Sequence, residues 1–523
     1  MSQTRLAIRS VLFNFGNLVC SIALAFVVPP ILRSRLGAEQ FGLWQVLMDV
    51  VGYYSLSDLG VGRATTKYLS QYSGPADRTT YLSILSNSLI ANQRLAAGTF
   101  VVVIVVSFIF PLFFPLQSES DFYLRIVVFF SGFKVCVGLL GHAYESVPRS
   151  LGRLDVVSTI QAGTNLAGSL AMLIALWNGG GLLALVLIQL LIEVIKRSIQ
   201  ISIVRRFVEI PSEGLPPLAP DIIKKLFSFG FLAILIQLAQ RAGSLSGAPL
   251  IGLKYGLEES GNFGIAQGLS TRCREFSRSI SDVVMPAAAR LDVRADAKVL
   301  LRVAVVSSRI LAAICLVFVV DVFILGRTFL QNWYHNDDVT QATYPLACVL
   351  ILATFIRLPA VGVCQTLEGM GVMALLSRLS VFEAVLTLAC QATLLFPFGP
   401  IGVAWGVLIA QVVCNGICLP IFAAKILDLS PLKLVANIYF VPLLTTIPGI
   451  ALAVWFDRYF PAPNMLTIAA QFSAVGIVIA GATFFICLDA EGRAAAWKTL
   501  ADVWRKILKK GKAAPQKPED RSK

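Results

Sequence analysis

Five charged residues stand together in an apolar stretch near the middle of the chain. Arg272, Arg274, Glu275, Arg278 and Asp282 lie within a segment that hydropathy predicts to cross a membrane. At about 100° per residue, all of them except Arg274 fall on one side of a helix. A charge at bilayer depth costs at least ~2.5 kcal/mol, so such residues normally face a bundle interior or a watery cavity. The segment therefore predicts a polar cavity inside a helical bundle.

An internal ion-pair network is the structural alternative for the same segment. Arg278 and Asp282 stand at i, i+4, which lets their side chains pair on a helix. However, three arginines against two acids leave a positive charge that internal pairing cannot cancel. This excess favours a functional use of the arginines.

The composition is that of a polytopic membrane protein. Of 523 residues, 56% are hydrophobic and only 14% are charged, which is far from the balance of a soluble domain. Apolar windows long enough to cross a ~30 Å hydrocarbon core recur along almost the whole chain. They predict an all-α protein with fourteen transmembrane helices, numbered here as spans 1 to 14, at residues 10–32, 41–62, 82–114, 122–147, 154–177, 181–204, 222–250, 260–285, 299–326, 341–366, 372–396, 400–424, 433–456 and 463–488.

Lysine and arginine residues follow most of the even-numbered spans. They include Arg63 and Lys67 after span 2, Arg149 and Arg153 after span 4, and Arg290 and Lys298 after span 8. Because basic loops stay on the cytoplasmic side, we expect a multi-pass protein with both termini in the cytoplasm. The net charge of +14 then reflects membrane topology and requires no nucleic-acid partner.

The ten cysteines all lie in or beside apolar spans, and no Cys-x-x-Cys pair occurs. With only two histidines in the chain, we expect neither a disulfide framework nor a metal site. No cleavable signal peptide is evident, because the first apolar stretch is too long and lacks a small-residue cleavage site.

Short similar segments recur in the two halves of the chain. The letters LFNFG at 12–16 return as LFSFG at 226–230, and LGRL at 151–154 parallels MGVM at 370–373. Their shared order and near-constant offset indicate two six-span lobes. Because six is even, both lobes start in the cytoplasm and are parallel repeats about an axis along the membrane normal.

The repeat predicts how the chain is divided. The N-terminal lobe is expected at 1–204, a proline-rich cytoplasmic linker at 205–221, the C-terminal lobe at 222–424, the added spans 13 and 14 at 425–488, and a basic amphipathic helix with a disordered cytoplasmic tail at 489–523.

Further charges lie inside other spans. Lys134 and Glu145 share a face of span 4 with two glycines between them, which fits either a cationic cavity wall or close helix packing. Arg241 in span 7 and Arg357 in span 10 either face a cavity or extend to the outer interface. Asp49 in span 2 either binds a coupling ion or pairs with a neighbouring arginine.

Arginine-lined cavities suit anions, because guanidinium stays charged and its planar fork binds phosphate through two hydrogen bonds. Export of cationic drugs would favour a cavity dominated by carboxylates, and span 1 contains none. The residues expected to bind substrate are Arg241, Arg272, Arg274, Arg278, Lys134 and Arg357. The candidates for ion coupling are Asp49, Glu145 and Glu275.

The letters LGAEQFGLW at 36–44, followed by DLGVG at 58–62, resemble the start of Wzx-type polysaccharide flippases of the multidrug/oligosaccharidyl-lipid/polysaccharide (MOP) exporter superfamily. The resemblance implies two helical lobes around a V-shaped central cavity. It also implies transfer of an undecaprenyl-pyrophosphate-linked oligosaccharide from the inner to the outer leaflet of the bacterial inner membrane, for O-antigen, capsule or exopolysaccharide synthesis. A polysaccharide polymerase and glycosyltransferases of the same pathway are the expected partners.

In that mechanism the arginines attract the pyrophosphate while the lipid tail stays in the bilayer and the lobes rock between two states. A proton or sodium gradient is the expected energy source, because the chain has no Gly-x-x-x-x-Gly-Lys-Ser/Thr loop to bind ATP. We expect no cofactor. The alternatives are a lipid II flippase or a multidrug antiporter of the same superfamily. An enzyme is not expected, because such enzymes usually need a sizeable extracytoplasmic loop with paired acids, and the longest candidate is the short segment 327–341.

Overall fold

The computed structural model describes residues 23–72, 74, 77–116, 119–208, 237–239, 241, 243–289, 297–370, 372–426 and 430–487. All regular secondary structure in these residues is helical. Nine helices in this part of the chain are long and apolar enough to cross a membrane. The prediction of an all-α, multi-pass membrane protein is therefore confirmed. Residues 209–221 of the linker predicted at 205–221, and the tail predicted at 489–523, lie outside the described residues.

The helices of the first half follow the predicted spans closely. Residues 23–36 form the helical part of span 1 that the structure describes. The following helices are Ala38–Tyr54 with a 3-10 turn at Ser55–Asp58 (span 2), the short helix Val61–Gln71, Arg78–Phe113 (span 3), Asp121–Ser150 (span 4), Leu154–Trp177 (span 5) and Leu182–Phe207 (span 6).

The helices of the second half contain several π-helical turns. They are Gly247–Tyr255 (the end of span 7), Leu257–Ala289 (span 8), Ala297–Val320 continuing through Asp321–Leu325 into Gly326–Tyr334 (span 9), Asp337–Gly369 (span 10), Met373–Phe398 (span 11), Pro400–Gln411 continuing through Val412–Cys418 into Leu419–Ile426 (span 12), Pro431–Val435 continuing through Ala436–Phe440 and Val441–Leu444 to Ile447–Tyr459 (span 13), and Met465–Ile486 (span 14).

The count of fourteen spans remains a prediction, for reasons that differ between helices. Span 6 has the required length but carries Glu193, Lys196 and Arg197, and span 8 is polar along much of its length. The helix of span 2 has only 17 residues. Spans 1 and 7 fall largely outside the described residues. Charges that are paired inside a bundle lower the apolar character of a helix without preventing it from crossing a membrane.

Each half packs chiefly around one long helix. In the first half, span 4 packs along spans 3 and 6, and in the second half span 10 packs along spans 8, 9 and 12. Spans 13 and 14 contact each other and span 9. Helices within one half therefore surround polar residues that face one another. The proposed domain boundaries stay a prediction.

The two halves meet most closely where span 2 packs on span 8. A Cβ atom added to Gly42 would lie 1.7 Å from the carbonyl oxygen of Leu257, so only glycine fits there. Arg33 lies 3.6 Å from Glu258. Nearby, Trp333 Nε1 donates a 2.6 Å hydrogen bond to the carbonyl oxygen of Phe26. In the predicted topology these contacts join the extracytoplasmic ends of the helices.

Candidate functional site

A polar cavity lies inside the second half of the chain, between spans 7, 8, 10, 11 and 12. Its cavity volume for the centres of water-sized spheres is about 50 Å³, within about 600 Å³ of space that protein atoms do not fill and that includes open solvent at the mouth. Arg274 of span 8, Arg357 of span 10, Glu383 of span 11 and Gln411 of span 12 all line it. The structure thus brings together two of the arginines that the sequence marks as substrate-binding.

Helical spacing explains why these side chains face the same space. In span 8, Gln267, Ser270 and Arg274 recur at i, i+3 and i+7, which places them on one face of the helix. Glu383 and Gln391 are eight residues apart in span 11 and share a face in the same way. Spans 8 and 11 therefore each turn a polar stripe toward the cavity.

Three side chains donate hydrogen bonds to Glu383 in the cavity. Arg357 Nη1 donates to its Oε1 at 3.2 Å, and Gln411 Nε2 donates to the same oxygen at 2.9 Å. Asn415 Nδ2 donates to Oε2 at 3.0 Å and also to the Gln411 side chain at 2.8 Å. The carboxylate therefore has a hydrogen-bond donor on each oxygen and one guanidinium as its charge partner.

Arg274 has a different environment in the same cavity. Its Nη2 donates a 2.8 Å hydrogen bond to the Thr271 hydroxyl. Among the residues that the structure describes, no carboxylate lies within ion-pair distance of Arg274. The side chains that line the cavity include two guanidinium groups and one carboxylate, so they carry an excess positive charge.

Span 8 has a second polar face that points away from this cavity. Arg272 and Glu275 form a 2.6 Å ion pair and are both partly exposed, so this pair does not line the cavity with Arg274. The side chains of Arg278 and Asp282 lie outside the described ones, and their proposed pairing stays a prediction.

Arg241 lies beside the first half of the chain. A Cβ atom added to Gly52, in the helix of span 2, would be 3.7 Å from its Nη1. The guanidinium is exposed. Arg241 therefore lies against span 2, and its role in substrate binding stays a prediction.

The first half contains a separate charged cluster between spans 4 and 6. Lys134 Nζ donates a 2.7 Å hydrogen bond to Gln189. Glu193 pairs with Arg197 at 2.7 Å and with Lys196 at 3.7 Å. All of these side chains are largely buried, and nearby Glu145 is bound by Arg149 and Arg197 at 2.6 and 3.4 Å.

The two glycines beside Lys134 have a packing role in this cluster. A Cβ atom on Gly141 would lie 2.0 Å from Cδ of Arg197, and one on Gly138 would lie 3.6 Å from its Nη2. The contacts of the two glycines accord with close helix packing, whereas the cationic cavity wall at Lys134 stays a prediction. The sequence interpretation missed Glu193, Lys196 and Arg197, although three charges within an apolar span are the same signal that marked span 8.

The three carboxylates expected to couple ions have unequal surroundings. Glu145 and Glu275 both have arginine partners. Asp49 is buried, with 9% of its surface exposed, and within the described part of the chain no ion pair reaches it. Asp58, nearer the cytoplasm in the predicted topology, lies 3.1 Å from Nδ1 of His142 and accepts from the backbone N–H of Gly62.

Buried charged side chains in a bundle of membrane helices are typical of proteins that move polar substrates across a bilayer. The profile of the family described as polysaccharide biosynthesis protein matches residues 9–292. The chain belongs to that family. A comparison with curated protein sequences gives no match.

Solved structures show the same fold. The chain is similar to the lipid II flippase MurJ in an inward closed conformation, with a TM-score of 0.66 and 11% identity over 92% of this chain and 99% of that one. An inward-facing multidrug resistance MATE transporter of the MOP superfamily gives 0.64 and 15% identity over 80% and 98%. A MOP superfamily transporter from Pyrococcus furiosus with a binding pocket of reverse polarity gives 0.54 and 14% identity over 83% and 96%.

These results confirm the predicted fold. The chain is a multi-pass membrane protein of the polysaccharide biosynthesis family.

Proposed function

We propose that this protein is a Wzx-type flippase of the bacterial inner membrane. Its substrate is an undecaprenyl-pyrophosphate-linked oligosaccharide, which it moves from the cytoplasmic to the outer leaflet for surface polysaccharide synthesis. The observation that carries the proposal is the cavity that Arg274 and Arg357 line together with one carboxylate, Glu383. Membership of the polysaccharide biosynthesis family supports the same assignment.

The positive charge of the cavity suits a pyrophosphate. Guanidinium groups bind phosphate oxygens through paired hydrogen bonds, and the low dielectric of a helix bundle strengthens that attraction. Lys134 in the other half, with Arg241, Arg272 and Arg278, is proposed to attract the phosphate and the hydrophilic sugars. The polyprenyl tail remains in the bilayer during the transfer.

Movement of the substrate requires the two halves to expose the cavity to each side of the membrane in turn. The contacts of Gly42 with Leu257 and of Arg33 with Glu258 join the predicted extracytoplasmic ends, and we propose that they separate during transfer. A proton or sodium gradient supplies the energy, and buried Asp49 is the carboxylate best suited to bind the ion. Glycosyltransferases and a polymerase of the same pathway then supply the substrate and use the product.

The proposal is tested in cells by replacing one cavity arginine. Arg274→Gln removes the charge but keeps a polar side chain of similar length. We expect lipid-linked oligosaccharide to accumulate on the cytoplasmic face, as we also expect in cells without the protein, while membrane abundance stays normal. The matched control is Arg458→Gln, at an exposed arginine near the end of span 13, which should leave transfer unchanged.

The same assay separates the other functions. Accumulation of lipid II would indicate a lipid II flippase, and accumulation of lipid-linked sugar on the outer face would indicate polymerisation or ligation. Normal distribution of lipid-linked sugars in cells without the protein would contradict the proposal.

A further inference from the structure

The cavity already contains an anion that belongs to the protein. Glu383 is largely buried, with 14% of its side chain exposed, and lies 3.2 Å from Arg357. Its carboxylate accepts a hydrogen bond from the guanidinium of Arg357. A phosphate would bind to that same guanidinium. The acid therefore stands where an anionic ligand is expected to bind.

The hydrogen bonds around Glu383 allow it to release Arg357 at a limited cost. Gln411 and Asn415 each donate to the carboxylate, at 2.9 and 3.0 Å. If Arg357 turned toward another anion, Glu383 would keep one amide donor on each oxygen. A buried carboxylate with its hydrogen bonds intact is far less costly than one left without partners.

Arg274 provides the complementary half of the site. It lines the same cavity, and within the described part of the chain its side chain bonds only to the Thr271 hydroxyl, so its charge is open to a ligand. A phosphate that reaches Arg274 meets Arg357 already engaged by Glu383. Contact with both arginines then requires the phosphate to displace the carboxylate.

We infer that Glu383 competes with the phosphate groups of the substrate for Arg357 and thereby sets how tightly the substrate binds. This inference rests on the proposed function, because it concerns the same substrate and cavity. A carrier must bind its substrate firmly enough to admit it and weakly enough to release it on the other side. Glu383 favours release, because it pairs with Arg357 again as the substrate leaves.

The experiment measures binding of inorganic pyrophosphate to the purified full-length protein in detergent at low salt. Glu383→Gln removes the competing charge, and we expect pyrophosphate to bind about tenfold more tightly, because the repulsion between two buried anions is lost. Arg357→Gln should weaken binding. The matched control is Asp457→Asn, at an exposed acid near the end of span 13, which should leave the dissociation constant unchanged.

Release provides a second readout. Glu383→Gln should also lower the maximal rate of lipid-linked sugar transfer, because tighter binding slows departure of the substrate. Glu383→Ala serves as a second variant if Glu383→Gln reaches the membrane poorly, and it should likewise tighten binding. A purely structural Glu383 would weaken binding and transfer together.

The outcomes distinguish this inference from the proposed function. If both Glu383 variants bind pyrophosphate no more tightly than the unaltered protein, while Arg274→Gln still blocks transfer, competition by Glu383 is excluded and the flippase proposal stands. If the unaltered protein binds no pyrophosphate and Arg274→Gln transfers normally, both are overturned.

Discussion

At the scale of single residues, Arg274 and Arg357 share a cavity but are held differently. Arg357 is paired with Glu383 at 3.2 Å, whereas Arg274 contacts the Thr271 hydroxyl at 2.8 Å. The guanidinium of Arg357 is therefore paired with a carboxylate before substrate binds, whereas that of Arg274 has no carboxylate partner among the described residues. The difference gives the two arginines separate roles, which substitutions can separate.

Arg357→Lys tests whether the shape of the guanidinium matters in addition to its charge. Lysine keeps the positive charge, but its single ammonium group cannot replace a planar fork that serves Glu383 and a phosphate. We expect transfer to fall on the order of tenfold, which corresponds to the loss of one good hydrogen bond to a charged group. Transfer at the original rate with lysine would show that charge alone suffices.

At the scale of helices, a glycine sets how closely spans 4 and 6 approach each other. Gly141→Ala would bring a Cβ atom within 2.0 Å of Cδ of Arg197. We expect the free energy of unfolding to fall by about 1–3 kcal/mol, as is typical of overpacking, and the melting temperature of the purified protein reports it. Gly163→Ala in span 5 is the control, because no heavy atom lies within 4 Å of the added Cβ. Equal melting temperatures for both variants would contradict the packing role.

Sequence periodicity predicts helices well where a span is apolar and bounded by turn residues. Span 5 is predicted at 154–177 and observed at Leu154–Trp177, because a glycine turn precedes it and Asn178 with Gly179 follows it. Span 2 ends earlier than predicted: its helix stops at Tyr54 and a 3-10 turn leads to Leu59 and Gly60, both with positive φ. Hydropathy averaged over a long window does not register such a break, because apolar residues flank the short polar segment Ser55–Asp58.

The partners of the charged residues are harder to predict than the residues themselves. Arg357 is identifiable as a charge within an apolar span, but its pairing with Glu383 depends on how spans 10 and 11 are rotated and shifted against each other. Glu193, Lys196 and Arg197 in span 6 are charges of the same kind as those in span 8, but their pairing with one another and with Glu145 of span 4 depends on how the helices pack. Tertiary packing therefore decides which charges form a site.

At the scale of the whole molecule, the contact between span 2 and span 8 joins the two halves. Gly42→Ala places a Cβ atom against the carbonyl oxygen of Leu257. We expect the outer ends to separate and the cavity to open. Ser244→Cys places a cysteine in the cavity lining. With Gly42→Ala, this cysteine should react faster with a membrane-impermeant maleimide added outside.

Gly268→Ala in span 8 is the control for this variant, because its Cβ meets no heavy atom within 4 Å. Labelling of the unaltered protein gives the background from the natural cysteines. If Gly42→Ala reaches the membrane at normal abundance and position 244 is labelled no faster than in the control, this contact does not close the outer side.

The central claim is that the cationic cavity carries a pyrophosphate-linked sugar across the membrane. Proteoliposomes that contain the purified protein, an imposed proton or sodium gradient and a fluorescent undecaprenyl-pyrophosphate oligosaccharide test it most directly, through the rate at which the sugar becomes accessible on the opposite face. We predict transfer with the unaltered protein and with Arg458→Gln, and a loss of at least about tenfold with Arg274→Gln. Transfer by Arg274→Gln at the rate of the unaltered protein would contradict the account.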